Sequence, residues 1–206
     1  MMVMERMRAP CIGATMAIWA LLAMVWPASA ETFVFDKDHT NISFSWDHVG
    51  LSRQSGRVMA YDGTLEFDPA TPEESKLEVT MKAASLWTGV EALDRALRSA
   101  DYFDAANHPA MTFKSTAVRK TGDKTGEVTG DLTIAGVSRP VTLKVTLNFT
   151  GEHPMSKLHP AFKDKLVAGF TAEAKILRSE WGVKRGIPLA SDEIEIQINT
   201  ELSKKP

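Results

Sequence analysis

This chain of 206 residues has a single cysteine, Cys11, which lies among the first thirty residues. From Glu31 onward there is none, which excludes disulfide bonds, a catalytic thiolate and a thiolate metal site in that part. Neither positive nor negative residues are in large excess. After residue 30 there are 24 − 2 = 22 Lys and Arg and 26 − 1 = 25 Asp and Glu, a net charge of −3. This balance gives no overall electrostatic signal for binding nucleic acid or an anionic membrane.

Long apolar runs are also scarce. The longest extends from Ile12 to Val25, 14 residues, whereas a helix needs roughly 20 to cross a bilayer. Two arginines precede this run, and Pro27 and the small residues at 28–30 follow it. A basic start, an apolar run and a small-residue cleavage site are typical of a secretory signal peptide. We therefore predict a cleaved signal at 1–30, one domain at 31–203 and a periplasmic location.

Sequence motifs for catalysis are missing after residue 30. Neither an H-E-x-x-H zinc motif nor a G-x-S-x-G elbow nor a glycine-rich phosphate loop occurs there. His39 and His48 each follow an aspartate and flank a predicted strand, which leaves a two-histidine metal site open. A periplasmic hydrolase that uses this metal site, or a pair of Asp or Glu residues, is therefore one alternative function.

The dominant pattern is alternation with period two. Apolar residues occupy every second position at 42–46, 77–81, 141–149 and 194–198, which predicts antiparallel strands with one buried face. Less regular segments predict further strands at 55–67, 110–118, 127–135 and 166–177. Several of these exceed the usual five or six residues, which favours a tall barrel over a small sandwich. The predicted fold class is therefore all-β.

One segment has helical spacing instead. Val90, Leu93 and Leu97 fall on one face of a helix, and the neighbouring positions are charged. Thr88 followed by Glu91 has the spacing of a capping box, so we expect Thr88 to cap this helix. The sequence thus predicts one short amphipathic helix at one end of the barrel.

The inward face of segment 166–177 carries three small residues, Ala168, Ala172 and Ala174. Small residues leave space that either a larger neighbour or a ligand must occupy. Both outcomes stay open at this point. A filled interior would favour a solid-core interaction module that acts beside a membrane redox protein.

Ordered motifs extend over nearly the whole chain after residue 30. They are D-K-D-H-T-N-I-S-F at 36–44, G-T-L-E-F-D at 63–68, L-R-S-A-D-Y-F-D at 97–104, G-D-L-T-I-A-G-V at 130–137 and R-S-E-W-G at 178–182. In this order they resemble the YceI-like family of exported, lipocalin-like, polyisoprenoid-binding proteins. Two positions depart from the family pattern: Leu93 stands where the family often has Arg, and Ala96 where it often has His.

The resemblance implies an extended eight-stranded antiparallel lipocalin-like barrel with one short amphipathic helix. It also implies that the barrel holds a long-chain isoprenoid or similar amphiphile for transport or storage, without catalysis. We expect no cofactor apart from this bound lipid and no nucleic-acid partner. A membrane redox protein and a homodimer are further partners that the sequence leaves open.

This interpretation predicts two groups of ligand-binding residues. Ten apolar side chains are expected to line the ligand site, namely Phe44, Trp46, Phe67, Met81, Leu97, Phe103, Phe113, Leu132, Ile134 and Phe170. Asp94 and Arg178 are expected at the rim, where a polar head would lie.

Overall fold

The computed structural model describes residues 30–206, so the predicted signal peptide lies, except for Ala30, outside the described residues. This part of the chain forms one short α-helix and eleven β-strands in a single sheet. The helix is α1 (Glu91–Arg98). The strands are β1 (Glu31–Phe35), β2 (Asn41–His48), β3 (Ser52–Val58), β4 (Tyr61–Phe67), β5 (Lys76–Lys82), β6 (Leu86–Trp87), β7 (Ala110–Lys120), β8 (Thr125–Ile134), β9 (Val137–Glu152), β10 (Leu166–Leu177) and β11 (Glu193–Lys204).

The eleven strands form eight long ones, because three of the long strands are interrupted. β1 and β2 both pair with β11, through Phe35 opposite Leu202 and through Asn41 opposite Asn199. β3 and β4 likewise continue one another, as do β5 and β6. With β7 to β11, these give eight antiparallel strands, and β11 pairs back onto the first. The predicted closed eight-stranded barrel with one helix is confirmed.

Alternation determines which side chains enter the barrel. Val141 and Leu143 on β9 are buried, whereas Thr142 and Lys144 between them are exposed. Phe149 was expected on the same inward face, and that expectation is wrong. A β-bulge places Leu147 opposite Phe170 and Phe149 opposite Gly169, so the alternation shifts and Phe149 is exposed.

The predicted capping box is also wrong. Val90 takes the N-cap position of α1, and no side chain caps the helix there. Thr88 instead donates two hydrogen bonds of 2.7 Å, from its backbone N–H and its hydroxyl, to Oδ1 of Asp94. Asp94 is buried, and a buried carboxylate requires donors more strongly than an exposed first helical turn does.

The two ends of the barrel differ. We call the end that carries α1, the β2–β3 turn and the segment 182–192 the helix end. β6 pairs with β3 but not with β7, and α1 follows β6 at this gap. We call the opposite end, with the segment 68–75 and the β7–β8 turn, the distal end. No helix within residues 30–206 is both long and apolar enough to span a bilayer.

Candidate functional site

A cavity of about 730 Å³ extends along the inside of the barrel. Its wall includes His48, Leu93 and Leu189 at the helix end and Pro72 and Lys124 at the distal end, so it spans the full height of the sheet. Sites for small molecules typically measure about 300–1,000 Å³. The described barrel is therefore hollow, and the alternative of a solid-core module is wrong.

Polar and apolar side chains are separated along this cavity. Aliphatic residues of β9 and β11, such as Val145 and Ile196, form the middle of the wall. Polar side chains lie towards the two ends, among them Gln54 at the helix end and Lys120 at the distal end. Such an arrangement can hold an apolar chain along its length and a polar group at one end.

All ten predicted apolar residues lie on the cavity wall. They are Phe44, Trp46, Phe67, Met81, Leu97, Phe103, Phe113, Leu132, Ile134 and Phe170. Period-two alternation is the signal that found those on strands, because every second residue of a barrel strand faces inward. Their contact with a ligand stays a prediction.

Inward-facing glycines position two of these aromatic rings. The ring of Phe44 lies across Gly56, so close that a Cβ there would overlap it. In the same way a Cβ on Gly130 would approach Cζ of Phe113 to 2.5 Å. Each ring thus lies flat against a neighbouring strand, which leaves the centre of the barrel open.

Packed aromatic residues lie at the distal half of the cavity. The Phe67 ring meets Phe33 and Phe170 edge-on, at centroid distances of 6.3 and 5.4 Å. Ala168 is buried in this cluster, whereas Ala172, four residues further on, lines the cavity. Larger neighbours therefore fill the space next to Ala168, whereas the space next to Ala172 is part of the cavity.

Arg178 is on the cavity wall, but its guanidinium is already engaged. Nε donates to the carbonyl of Ser191 at 3.0 Å, and Nη2 to that of Ala190 at 2.9 Å. Nη1 donates to the carbonyls of Val183 and Arg185, both at 2.8 Å. Burial lowers the pKa of Arg178, and Tyr102 and Asp192 oppose this shift. The side chain therefore holds the segment 183–191 in place, a function that the sequence did not reveal.

Of the three helix residues Leu93, Asp94 and Ala96, only Leu93 lies on the cavity wall. Asp94 is buried and is not on the cavity wall, because its carboxylate faces Thr88; its predicted position at the rim is wrong. Leu93 is on the wall, whereas Ala96 is not. Leu93 therefore makes this part of the helix end apolar.

His39 and His48 do not form a common site. His39 lies two residues before the extended β2, and His48 is the last residue of that strand. The eight residues of β2 alone span about 23 Å, so the two-histidine metal site is wrong. Nδ1 of His39 instead lies 2.9 Å from Oδ2 of Asp36. Glu201 completes a group whose potential ligand atoms lie within 4.8 Å of one another, outside the cavity.

The Asp36–His39 contact shifts the pKa of both groups. The hydrogen bond that His39 donates to Asp36, and then the charge of Asp36, raise the pKa of His39. For Asp36, burial raises the pKa. The hydrogen bond from His39, hydrogen bonds from nearby backbone N–H groups and the charge of His39 together lower it by more, so the net shift is downward. The pair stabilises protonated His39 next to ionised Asp36. That contribution is therefore lost as the pH rises through the raised pKa of His39, and also as the pH falls through the lowered pKa of Asp36.

The segment 182–192 was missed by the sequence analysis. It has no periodicity and was not assigned to any element, yet Gly186, Leu189 and Ala190 lie on the cavity wall. A bridge between His48 and Ala190 joins it to the end of β2. No local pattern could have found these residues, because their position depends on Arg178 and on β2.

Comparisons with known proteins agree with this architecture. The family model described as YceI-like domain matches residues 33–202. A UPF0312 protein of Pseudomonas savastanoi pv. phaseolicola is 36% identical over 190 residues, which covers 91% of this chain and 94% of that protein. The crystal structure of the Campylobacter jejuni YceI protein has a TM-score of 0.68 at 32% identity and covers 78% of this chain and 90% of that one. The structure of a polyisoprenoid-binding domain from Saccharophagus degradans, implicated in plant cell wall breakdown, has a TM-score of 0.60 at 12% identity and covers 85% and 99%.

We predict that Arg178→Lys loosens the segment 183–191, because a lysine cannot donate to four carbonyls arranged around a planar fork. The expected loss in the free energy of unfolding is about 2–4 kcal/mol. Hydrogen exchange should accelerate at 183–191 and stay unchanged in β8. Arg139→Lys is the matched control, because Arg139 donates one hydrogen bond of 3.4 Å to the carbonyl of Glu180. Unchanged exchange at 183–191 in Arg178→Lys contradicts the prediction.

We also predict that Asp36→Asn lowers the pKa of His39 towards its ordinary value, because the asparagine removes the negative charge next to Nδ1. NMR titration of the His39 ring protons measures this shift. Asp38→Asn is the control, because Asp38 contributes least to the raised pKa of His39. Equal shifts in the two variants show that the prediction is wrong.

Proposed function

The chain belongs to the YceI-like family, and on that premise we propose that it binds a long-chain isoprenoid or similar amphiphile inside its barrel. The observation that carries the proposal is the cavity of about 730 Å³, with an apolar middle and polar ends. The shared barrel of the polyisoprenoid-binding domain from Saccharophagus degradans supports this choice of ligand class.

Burial of the apolar chain accounts for the affinity. Each CH₂ removed from water contributes about 0.8 kcal/mol, so a tail of ten buried carbons gains about 8 kcal/mol before the costs of association. The aliphatic wall has no directional contact to offer, and therefore it selects for apolar length and width rather than for a particular functional group. The head group belongs at an end in this proposal, which the polar side chains of the wall at the two ends support.

The proposal is for binding rather than catalysis. The two histidines of the hydrolase alternative lie at opposite ends of β2, and their site is not assembled. Export to the periplasm and a role in lipid transport or storage belong to the proposal as well, and they rest on the predicted signal at 1–30. A homodimer and a membrane redox partner stay predictions from the sequence.

The direct experiment is organic extraction of the purified protein followed by mass spectrometry. We expect an isoprenoid or a related long-chain lipid in about stoichiometric amount. Protein stripped of lipid should take up a fluorescent polyprenol from detergent with saturable binding. An extract free of lipid, together with no uptake of the polyprenol, rejects the proposal.

Ala172→Trp tests whether the ligand lies in the cavity. Ala172 is buried on the wall, so an indole there fills space that the tail requires, and we expect polyprenol affinity to fall at least tenfold. Glu173→Trp is the matched control, since the neighbouring position is exposed on the outer face of β10. Equal affinity in both variants, with unchanged thermal unfolding, shows that the ligand binds elsewhere.

A further inference from the structure

Four apolar side chains are exposed on two adjacent turns at the helix end. They are Val49, Leu51, Ile187 and Leu189, with exposed fractions of 42%, 84%, 36% and 64%. We call this group the apolar lip. Large apolar side chains that group together on an exposed surface mark interaction sites more often than isolated ones do.

The two turns form one surface that is continuous with the cavity. The N–H of Val49 donates to the carbonyl of Leu189 at 2.8 Å, and the N–H of Ser191 donates to that of Asp47 at 2.9 Å. Leu189 is exposed and also lies on the cavity wall. Leu189 therefore joins the apolar lining of the cavity to the outside of the lip.

The backbone at Val49 is unfavourable for valine. Val49 has a φ of 51° and Gly50 a φ of 70°, and the N–H of Leu51 donates to the carbonyl of His48 at 3.0 Å. Two-residue turns of this kind favour Asn-Gly, and a β-branched residue with positive φ is rare. Because Val49 is not buried in the barrel, its apolar side chain gains little within the protein. Valine at this position therefore keeps an apolar side chain 42% exposed on an unfavourable backbone.

Positive charge accompanies the lip. Residues 47–53 and 184–190 contain three cations, Arg53, Lys184 and Arg185, but a single carboxylate, Asp47, which accepts a hydrogen bond from the N–H of Gly50. Arg53 pairs with Glu195 and Arg185 with Asp101, whereas Lys184 has no acidic partner among residues 30–206. Lys184 can therefore attract the phosphate of a lipid head group, although the domain as a whole is slightly acidic.

Resting on the function proposed above, we propose that the apolar lip inserts into the head-group region of a lipid bilayer. The ligand would then pass between membrane and cavity along a continuous apolar surface, without exposing its tail to water. The distal end also exposes apolar side chains, such as Leu158 at 76%, next to several lysines. No residue from 148 to 169 lies on the cavity wall, so contact there would not connect the membrane to the cavity.

The test compares two double variants of the full protein. Val49→Asn/Leu51→Ser removes two of the three lip side chains that do not lie on the cavity wall, and asparagine suits the backbone at 49. Met155→Asn/Leu158→Ser is the matched control, because it makes the same kind of change at exposed residues near the distal end. Both are assayed for co-flotation with vesicles of phosphatidylcholine and phosphatidylglycerol, with and without a fluorescent polyprenol.

We expect the lip variant to co-float at least tenfold less than the wild type and to extract the polyprenol from vesicles at least tenfold more slowly. Its binding of polyprenol from detergent and its unfolding midpoint should be unchanged. The distal variant should behave like the wild type throughout. If the wild type fails to bind polyprenol from detergent, the function proposed above is rejected. Co-flotation with vesicles that contain no polyprenol still tests the lip in that case.

Three results overturn the proposal. One is a lip variant that extracts and co-floats like the wild type. Another is a loss of co-flotation and of polyprenol extraction in the distal variant alone, which places the membrane contact at the distal end. The last is a concentration-dependent dimer in light scattering that the lip variant abolishes, which assigns the lip to a second copy of this chain.

Discussion

Closure of the sheet by β11 is the interaction on which the rest of this structure depends. One edge of β11 pairs with β10, and the other is shared between β1 and β2, so both edges of the last strand are satisfied. A closed ring has no exposed edge, and it turns one face of every strand towards a common interior. Because that interior contains glycines and alanines as well as large side chains, closure produces a hollow barrel rather than a filled one.

The departures from regular sheet occur where function is concentrated. The gap between β6 and β7 is where α1 follows and brings Leu93 and Leu97 to the cavity. The segment 182–192 is held by the guanidinium of Arg178, since four backbone carbonyls converge on it. This rigid support presents the mouth of the cavity and the apolar lip together. The helix end is therefore the part of the molecule where the cavity, exposed apolar surface and positive charge meet.

Local regularity explains which predictions succeeded. The strand predicted at 166–177 is observed as Leu166–Leu177, because every second residue there is apolar and turns lie on both sides. β6 was missed because its two residues are too few for a period to be visible, and β1 because Phe33, Val34 and Phe35 are consecutive apolar residues without alternation. Phe149 and Thr88 were assigned wrongly for another reason: a bulge opposite β10 and a buried carboxylate in α1 override the local pattern.

The sequence by itself determined the type of each long strand, the apolar face that turns inward and eight strand residues found on the cavity wall, because alternation is a local property. Only the tertiary structure decided that His39 and His48 are far apart, that the guanidinium of Arg178 holds the segment 183–191, and that Ala172 faces open space while Ala168 does not. These outcomes depend on register and on contacts between distant parts of the chain, such as Phe35 with Leu202. Periodicity within one strand carries no information about the partner that another strand will place opposite it.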